Sequence, residues 1–401
     1  MNLYQTIYSQ AKAIENDTVR ILMDLVRTPS FSSKEKEGVQ VVQREMEKVD
    51  FDEIWIDGLG SIIGRIGNGP RKIAFDGHVD TVYAGDLTQW SFDPFQPKIE
   101  NGKVWGRGTV DQKGGLAAML SAARLVKEMN LNDNLTVYFT GTVMEEDCDG
   151  LCWQHLINEE KLRPDFVVIT EPTNMQVYRG HRGRMEMRIE VKGRSCHSSA
   201  PERGDNAIYK LARIALEIEK LDKQLRIDPF LGKGSVTVTE AGSSSPSICA
   251  VPDGASIRLD RRLTYGESKE SAVAEVYNAV KRAGCEDAKV IVLTFKEAAY
   301  TGKVYPTEKY FPTWTLNENS PFLTSAVEVY TGVFGKAPRV GMWTFSTNAV
   351  AIAGMHGIPC LLFGPGNELY AHTPNEACEI EHLSGATAFY AALVAKLNGK
   401  M

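Results

Sequence analysis

Apolar residues recur at helical spacing from about Thr6 to Arg27, at Ile7, Ala11, Ile14, Val19, Leu22 and Leu25, and the Pro29-Ser-Phe-Ser-Ser run ends the pattern. This spacing predicts one helix there and a second over Lys36 to Val49. The period then changes. Ile54 to Asp57, Ile62 to Ile66 and Lys72 to His78 alternate or run apolar, as strands do, with a Gly58/Gly60 turn between the first two. Helical spacing returns over Leu116 to Met129 and Cys152 to Glu160, separated by a strand-like run from Leu135 to Val143 and followed by the short apolar Phe166 to Ile169. Alternating strands and helices predict an α/β layer architecture.

From about His181 the character differs. Met185 to Val191 alternates apolar and charged residues as a half-exposed strand does, and a helix is predicted over Ala207 to Leu221. Strand-like Val236 to Thr239 and Ser256 to Asp260, a helix near Ser268 to Arg282, and strand-like Lys289 to Leu293 follow. The order β-α-β-β-α-β is that of a ferredoxin-like unit. After Tyr300 the α/β pattern resumes, with helices over Pro321 to Thr331 and His382 to Leu397 and an apolar strand at Cys360 to Phe363. A chain of 401 residues exceeds the roughly 250 to 300 at which single cores stop growing, so two domains are expected. The first spans residues 1–180 and is completed by 297–401; residues 181–296 form the insertion.

Composition narrows the partners. A net charge of −6 and a pI near 5.8 supply no basic field for nucleic acid or anionic lipid, so a small-molecule substrate is expected. The N-terminal residues lack the basic and apolar regions of a secretory signal, and no run approaches about 18 apolar residues, so no membrane span and a cytoplasmic location are expected. Seven cysteines at irregular spacing fit reduced thiols better than a disulfide framework.

The chemistry-bearing residues gather just beyond the strands, where open α/β sheets place their reactive groups. His78 and Asp80 follow one strand, and period two puts both on one face, a ligand with its orienting carboxylate. Glu145 and Glu146 follow another; in extended geometry adjacent residues point apart, so one can bind a metal while the other acts as a base. Glu171 ends the strand Phe166 to Ile169, and His372 follows the loop beginning Gly364-Pro-Gly-Asn. Asp111 lies in the glycine-rich stretch Trp105 to Gly115, bent so as to present its oxygens at a fixed point. His78, Asp111, Glu146, Glu171 and His372 make a nitrogen and oxygen ligand set without thiolate, suited to two Zn²⁺, or Co²⁺ or Mn²⁺, sharing the Asp111 carboxylate.

The motifs Gly77-His-Val-Asp-Thr81, Gly106-Arg-Gly-Thr-Val-Asp-Gln-Lys-Gly114, Glu145-Glu146, Glu171-Pro-Thr173 and Ala371-His-Thr-Pro-Asn-Glu376 together resemble the M20 metallopeptidase family, in order and over nearly the whole chain. That family includes acetylornithine deacetylase, succinyl-diaminopimelate desuccinylase, glutamate carboxypeptidase and aminoacylase. Within it the likeness is strongest to the branch labelled selenium-metabolism-linked hydrolases. The resemblance implies a zinc-peptidase-type α/β domain carrying a ferredoxin-like dimerisation lid. It assigns His78, Asp111 and Glu171 to one metal, Asp111, Glu146 and His372 to the other, Asp80 to orienting His78, and Glu145 to the role of general base. It also implies a cis peptide at Asp111-Gln112, and that His197 reaches the active site of a partner subunit in a homodimer. Arg262, Arg182 and Asn367 fall where related deacylases bind a substrate carboxylate. Two departures concern specificity: Cys249-Ala-Val-Pro stands where many relatives have Asn-Val-Ile-Pro, and Ser346-Thr-Asn where desuccinylases have Thr-Ser-Asp.

The expected activity is hydrolysis of the amide bond of an N-acyl amino acid or short peptide, by attack of water activated between two metals. An aminopeptidase or dipeptidase, or an N-carbamoyl-amino-acid hydrolase, on the same scaffold is the alternative. A non-catalytic metabolite-binding relative would not need Glu145 beside a full ligand set.

Overall fold

The computed structural model describes residues 2–401. Its larger sheet has nine strands. Those used below are β1 (Glu53–Ile56), β2 (Ile62–Ile66), β3 (Arg71–His78), β4 (Leu135–Thr142), β5 (Phe166–Ile169) and β6 (Val177–His181). The β5 strand is buried along its whole length, and the last six residues of β3 are buried too, as befits central strands covered on both faces. β3 pairs in parallel with β4 on one side and β5 on the other, Phe75 lying opposite Phe139 and Val168. The carboxyl ends of these three neighbouring strands therefore share one edge of the sheet. That edge is where His78, the Glu145-Glu146 pair and Glu171 emerge.

Nine α-helices accompany the two largest sheets among the described residues. The predicted helix from Thr6 to Arg27 is two: α1 (Leu3–Ala13) and α2 (Glu15–Arg27), broken at Ile14. Next come α3 (Lys36–Val49), α4 (Lys113–Glu128) and α5 (Leu151–Asn158). Gly114 and Gly115 open α4 because nothing larger fits: a Cβ on Gly115 would lie 2.1 Å from the Thr170 carbonyl, and one on Gly114 2.4 Å from that of Thr109. This close approach seats the α4 N-terminus, with Asp111 just before it, against the strand ends.

The second sheet contains β7 (Gly183–Lys192), β8 (Ser235–Ser244), β9 (Gly254–Leu263) and β10 (Lys289–Val292), with α6 (Ala207–Asp222) after β7 and α7 (Lys269–Arg282) after β9. Its strands are antiparallel in the order β8-β9-β7-β10, the ferredoxin-like arrangement that the β-α-β-β-α-β pattern predicts. It has its own apolar core, built on Met185, Met187, Ile189, Ile214, Leu259 and Val276 among others. Most of the remaining buried apolar residues form a separate core around the large sheet, completed by α8 (Pro321–Phe334) and α9 (Ile380–Leu397). α9 is buried nearly all round, as a helix at the centre of a core must be. No described helix is long and apolar enough to cross a membrane.

Candidate active site

Asp111 stands between the two histidines. Its Oδ1 lies 3.1 Å from His78 Nε2, and its Oδ2 lies 3.2 Å from His372 Nε2. The one carboxylate thus faces two separate groups. His78 Nε2 is 3.7 Å from Glu171 Oε1 and 3.9 Å from Glu145 Oε2, while His372 Nε2 is 3.0 Å from Glu146 Oε2. His78, Glu145 and Glu171 offer ligand atoms within 4.8 Å of one another, and so do His78, Asp111 and Glu146. All but His372 are largely shielded from solvent; His372 is half exposed at the mouth.

Each of these side chains is held from behind. The His78 ring places Nδ1 2.9 Å from the Asp80 carbonyl and 3.5 Å from its carboxylate, so Nδ1 donates to Asp80 and Nε2 is the nitrogen turned towards Asp111. The fully buried Asp80 carboxylate accepts from the backbone N–H groups of Glu145 (3.3 Å) and Glu146 (3.0 Å) and from Ser32 Oγ (2.7 Å). Glu35, also fully buried, accepts from the N–H of Met144 at 3.0 Å, whose φ of 61° turns the chain immediately after β4. Consequently Glu145 and Glu146 lie in a turn, where the sequence had suggested an extended pair pointing apart; both carboxylates reach the same cluster. Gln112 Oε1 accepts from the N–H of His78 and from Thr170 Oγ1, linking Asp111's neighbour to β3 and β5, and the Asp111-Gln112 peptide is cis.

Sequence reasoning gave Glu376 no role beyond its motif. Buried completely, it accepts from Arg107 Nη1 at 2.7 Å and from the N–H groups of Gly108, Val110 and Asp111 at 3.0, 2.7 and 3.1 Å. It therefore fixes the whole loop that presents Asp111.

The charges are arranged to receive cations. Burial pushes Glu145 and Glu171 well above the ordinary carboxylate range, with neighbouring carboxylates adding to the shift. Glu146 is pushed up to about 7 by burial and by the Asp111 charge. His372 is raised to about 11 through its bonds to Asp111 and Glu146. For His78 burial acts downward, but Asp111 and Asp80 outweigh it and raise the ring. Acids held reluctant to ionise and bases held eager to be charged both signal a shortage of positive charge. Glu145 Oε1 and Glu171 Oε2 are moreover buried without a hydrogen-bond partner. A nitrogen and oxygen donor set with orphaned carboxylate oxygens fits divalent cations.

A cavity of about 330 Å³ opens on this cluster, within the range of small-ligand sites. Besides Asp111, Glu145, Glu146, Glu171 and His372, its wall includes Arg184, Arg262, Asp149, Trp343, Phe345 and Ser346. Of the three residues expected to read a carboxylate, Arg262 is there, paired with Asp260 at 2.8 Å. Arg182 and Asn367 are not among the lining residues. The chain bends at Arg182 between β6 and β7, and its guanidinium donates to the Lys233 carbonyl; Asn367 Oδ1 caps a short turn by accepting from Leu369 N–H. Arg184, two residues further on, takes the place at the wall. Its position on an alternating strand gave no signal, because pointing towards the site depends on pairing with β9. His197 is exposed on the insertion, its Nδ1 accepting from Ser199, and is not among the cavity's lining residues either. Asn348 is buried, bonded to Asp76 and to Gly150 N–H, so only Ser346 of the Ser-Thr-Asn stretch reaches the cavity.

Parallel strand ends converging on a carboxylate shared by two histidines, with an inserted ferredoxin-like unit supplying part of the wall, define a hydrolase of the metallopeptidase type. The model of Peptidase family M20/M25/M40 matches residues 74–396, and the chain belongs to that family. Protein YgeY of Escherichia coli (strain K12) is 50% identical over 392 residues, covering 97% of this chain and 96% of its own. A probable succinyl-diaminopimelate desuccinylase of Staphylococcus epidermidis is 25% identical over 393 residues, covering 90% and 93%. The Bacillus subtilis YXEP protein, a dinuclear metal binding peptidase from the M20 family, shares the fold at a TM-score of 0.71 and 16% identity, over 97% of this chain and 100% of its own.

Proposed function

We propose that the chain is a dinuclear metal-dependent amidohydrolase that cleaves the amide bond next to a carboxylate in an N-acyl amino acid. The observation that carries this is the split of the Asp111 oxygens between His78 and His372, with Glu145 inside the same cluster. His78, Asp111, Glu146, Glu171 and His372 would hold two cations, and zinc suits their donor types best. When bound, such ions supply Lewis acidity that lowers the pKa of water towards roughly 7 and polarises a carbonyl oxygen. Glu145 Oε1, buried and unpartnered, takes the proton from the attacking water and returns it to the departing amine nitrogen. Arg262 receives the substrate carboxylate, a planar guanidinium matching two oxygens. Asp80 orients His78 and anchors the Glu145-Glu146 turn.

The same reading makes the molecule a homodimer through the insertion, with His197 serving the cavity of the other subunit. Two features support it. β8 is an edge strand whose outer half is exposed, and α6, which packs on it, exposes Tyr209 and Leu216 seven residues apart on one face.

Replacement Glu145→Gln tests the assigned chemistry. It should retain two metal equivalents by elemental analysis yet lose about 100-fold or more in kcat on an N-acyl amino acid. An unchanged kcat would refute the role of Glu145.

A further inference from the structure

The wall facing the ligand cluster contains a charged pair that the proposed reaction does not use. Arg184 Nη2 lies 3.1 Å from Asp149 Oδ1, and both residues line the cavity. Each retains one buried atom without a partner: Asp149 Oδ2, an acceptor, and Arg184 Nε, a donor. Ser346 Oγ and Trp343 Nε1, on the same wall, are buried and unpartnered too. The two charges balance within the ion pair, and Glu186 Oε1 lies 3.6 Å from the same Arg184 nitrogen. What remains unmet is one hydrogen bond to accept and at least one to give.

The location of this demand follows from strand register. Arg184 on β7 is directly opposite Arg262 on β9, so the two side chains stand on one face as cross-strand neighbours, about 5 Å apart at their Cβ atoms. If Arg262 holds the substrate carboxylate, as the proposed function has it, Arg184 and Asp149 face the side chain of the same amino acid. We infer that Asp149 and Arg184 form a specificity subsite for an amino-acid side chain ending in a neutral group that both donates and accepts hydrogen bonds, a carboxamide or a ureido group. Its N–H satisfies Asp149 Oδ2 and its carbonyl oxygen satisfies Arg184 Nε. A carboxylate there meets Asp149, an ammonium meets Arg184 and Arg262, and an alkyl chain leaves both buried atoms unpaired. Leaving such an atom unpaired costs about tenfold or more in affinity.

Calorimetric titration of the metal-loaded wild-type protein with free glutamine, citrulline, glutamate, ornithine and norleucine reads the subsite without depending on turnover. Glutamine or citrulline should bind at least about tenfold more tightly than the other three. Equal affinities, no binding by any of the five, or preference for a charged or alkyl side chain overturns the inference. Two variants give reciprocal shifts, with thermal midpoints recorded to show that they fold. Asp149→Asn leaves Arg184 only the more distant Glu186, 3.6 Å away, and should move the preference towards glutamate; Arg184→Met leaves Asp149 and should move it towards ornithine. Variants that fold and keep the wild-type order also overturn it. Hydrolysis of the N-acetyl derivatives separates the two readings: an amino acid bound with the expected preference but not released from its N-acetyl form would sink the deacylase proposal and leave the subsite standing.

Discussion

Glu376 shows how one side chain can govern a site it does not enter. Its two oxygens accept from Arg107 and three loop amides, all out of contact with water. Removing the carboxylate in Glu376→Ala would strand a buried guanidinium and those N–H groups, a loss of about 3 to 5 kcal/mol. The milder Glu376→Gln keeps the volume but turns an acceptor into a donor against the same amides. We expect it to fold and to bind zinc about 10 to 100 times more weakly, as losses behind metal ligands commonly do, measured by competition with a chromogenic chelator. Wild-type affinity would remove Glu376 from the positioning role. The proposed ligands could be gathered from sequence because His78, Glu146 and Glu171 each stand at or soon after the end of an apolar strand, and pooling them with Asp111 and His372 made a donor set that no single position announced. Arg184 and Asp149 could not be, since what makes them notable is an ion pair between a turn and a strand from different domains.

At the level of elements, hydrophobic period predicted types well and breaks poorly. The buried positions Ile7, Ala11, Ile14, Thr18, Leu22 and Leu25 keep helical spacing straight through Ile14, although the backbone there leaves the helix and restarts it. Burial records which face is covered and is blind to a break that preserves the phase. The turn after β4 was missed for a related reason: Met144 adopts its left-handed conformation because Glu35 ties down its own amide and Asp80 the two amides beyond it, contacts remote in sequence. The junction of β6 with the insertion makes a prediction about pH. His181 ends β6, fully buried, with Nε2 2.9 Å from Thr347 Oγ1 and its ring edge-on to Trp314. Burial lowers its pKa to about 4, below the roughly 6.5 of an unfolded histidine. The unfolded chain thus takes up this proton first as pH falls, so the histidine's contribution is complete above about pH 6.5 and is lost between there and pH 4, by up to about 3 kcal/mol. His181→Gln, which cannot titrate, should show a shallower fall of the urea midpoint across that window than the wild type. Parallel profiles would mean the ring is not held neutral.

For the molecule as a whole, the two cores are joined where β6 runs directly into β7 and where Tyr310–Phe311 returns to pair with β7 before Trp314–Thr315 rejoins the large sheet beside β6. The order of elements made this insertion readable from sequence, since a change from α/β alternation to β-α-β-β-α-β and back leaves little else for the middle segment to be. What order could not reveal is which groups the insertion delivers to the cleft of its own chain. Arg184 and Arg262 line that cleft, whereas His197, exposed on the same unit, does not. On the homodimer proposal each cavity combines Glu145 of one chain with His197 of the partner subunit, and this can be separated from a purely local role for the histidine. His197→Ala and Glu145→Gln should each be nearly inactive alone. In a heterodimer of the two, one cavity carries both defects and the other carries neither, so random re-association should restore about a quarter of wild-type activity under two-fold symmetry. Tyr209→Glu, placed on the exposed face of α6, should produce a monomer by light scattering and abolish that rescue. If His197 instead served its own chain, every cavity in the mixture would keep one defect and no activity would return.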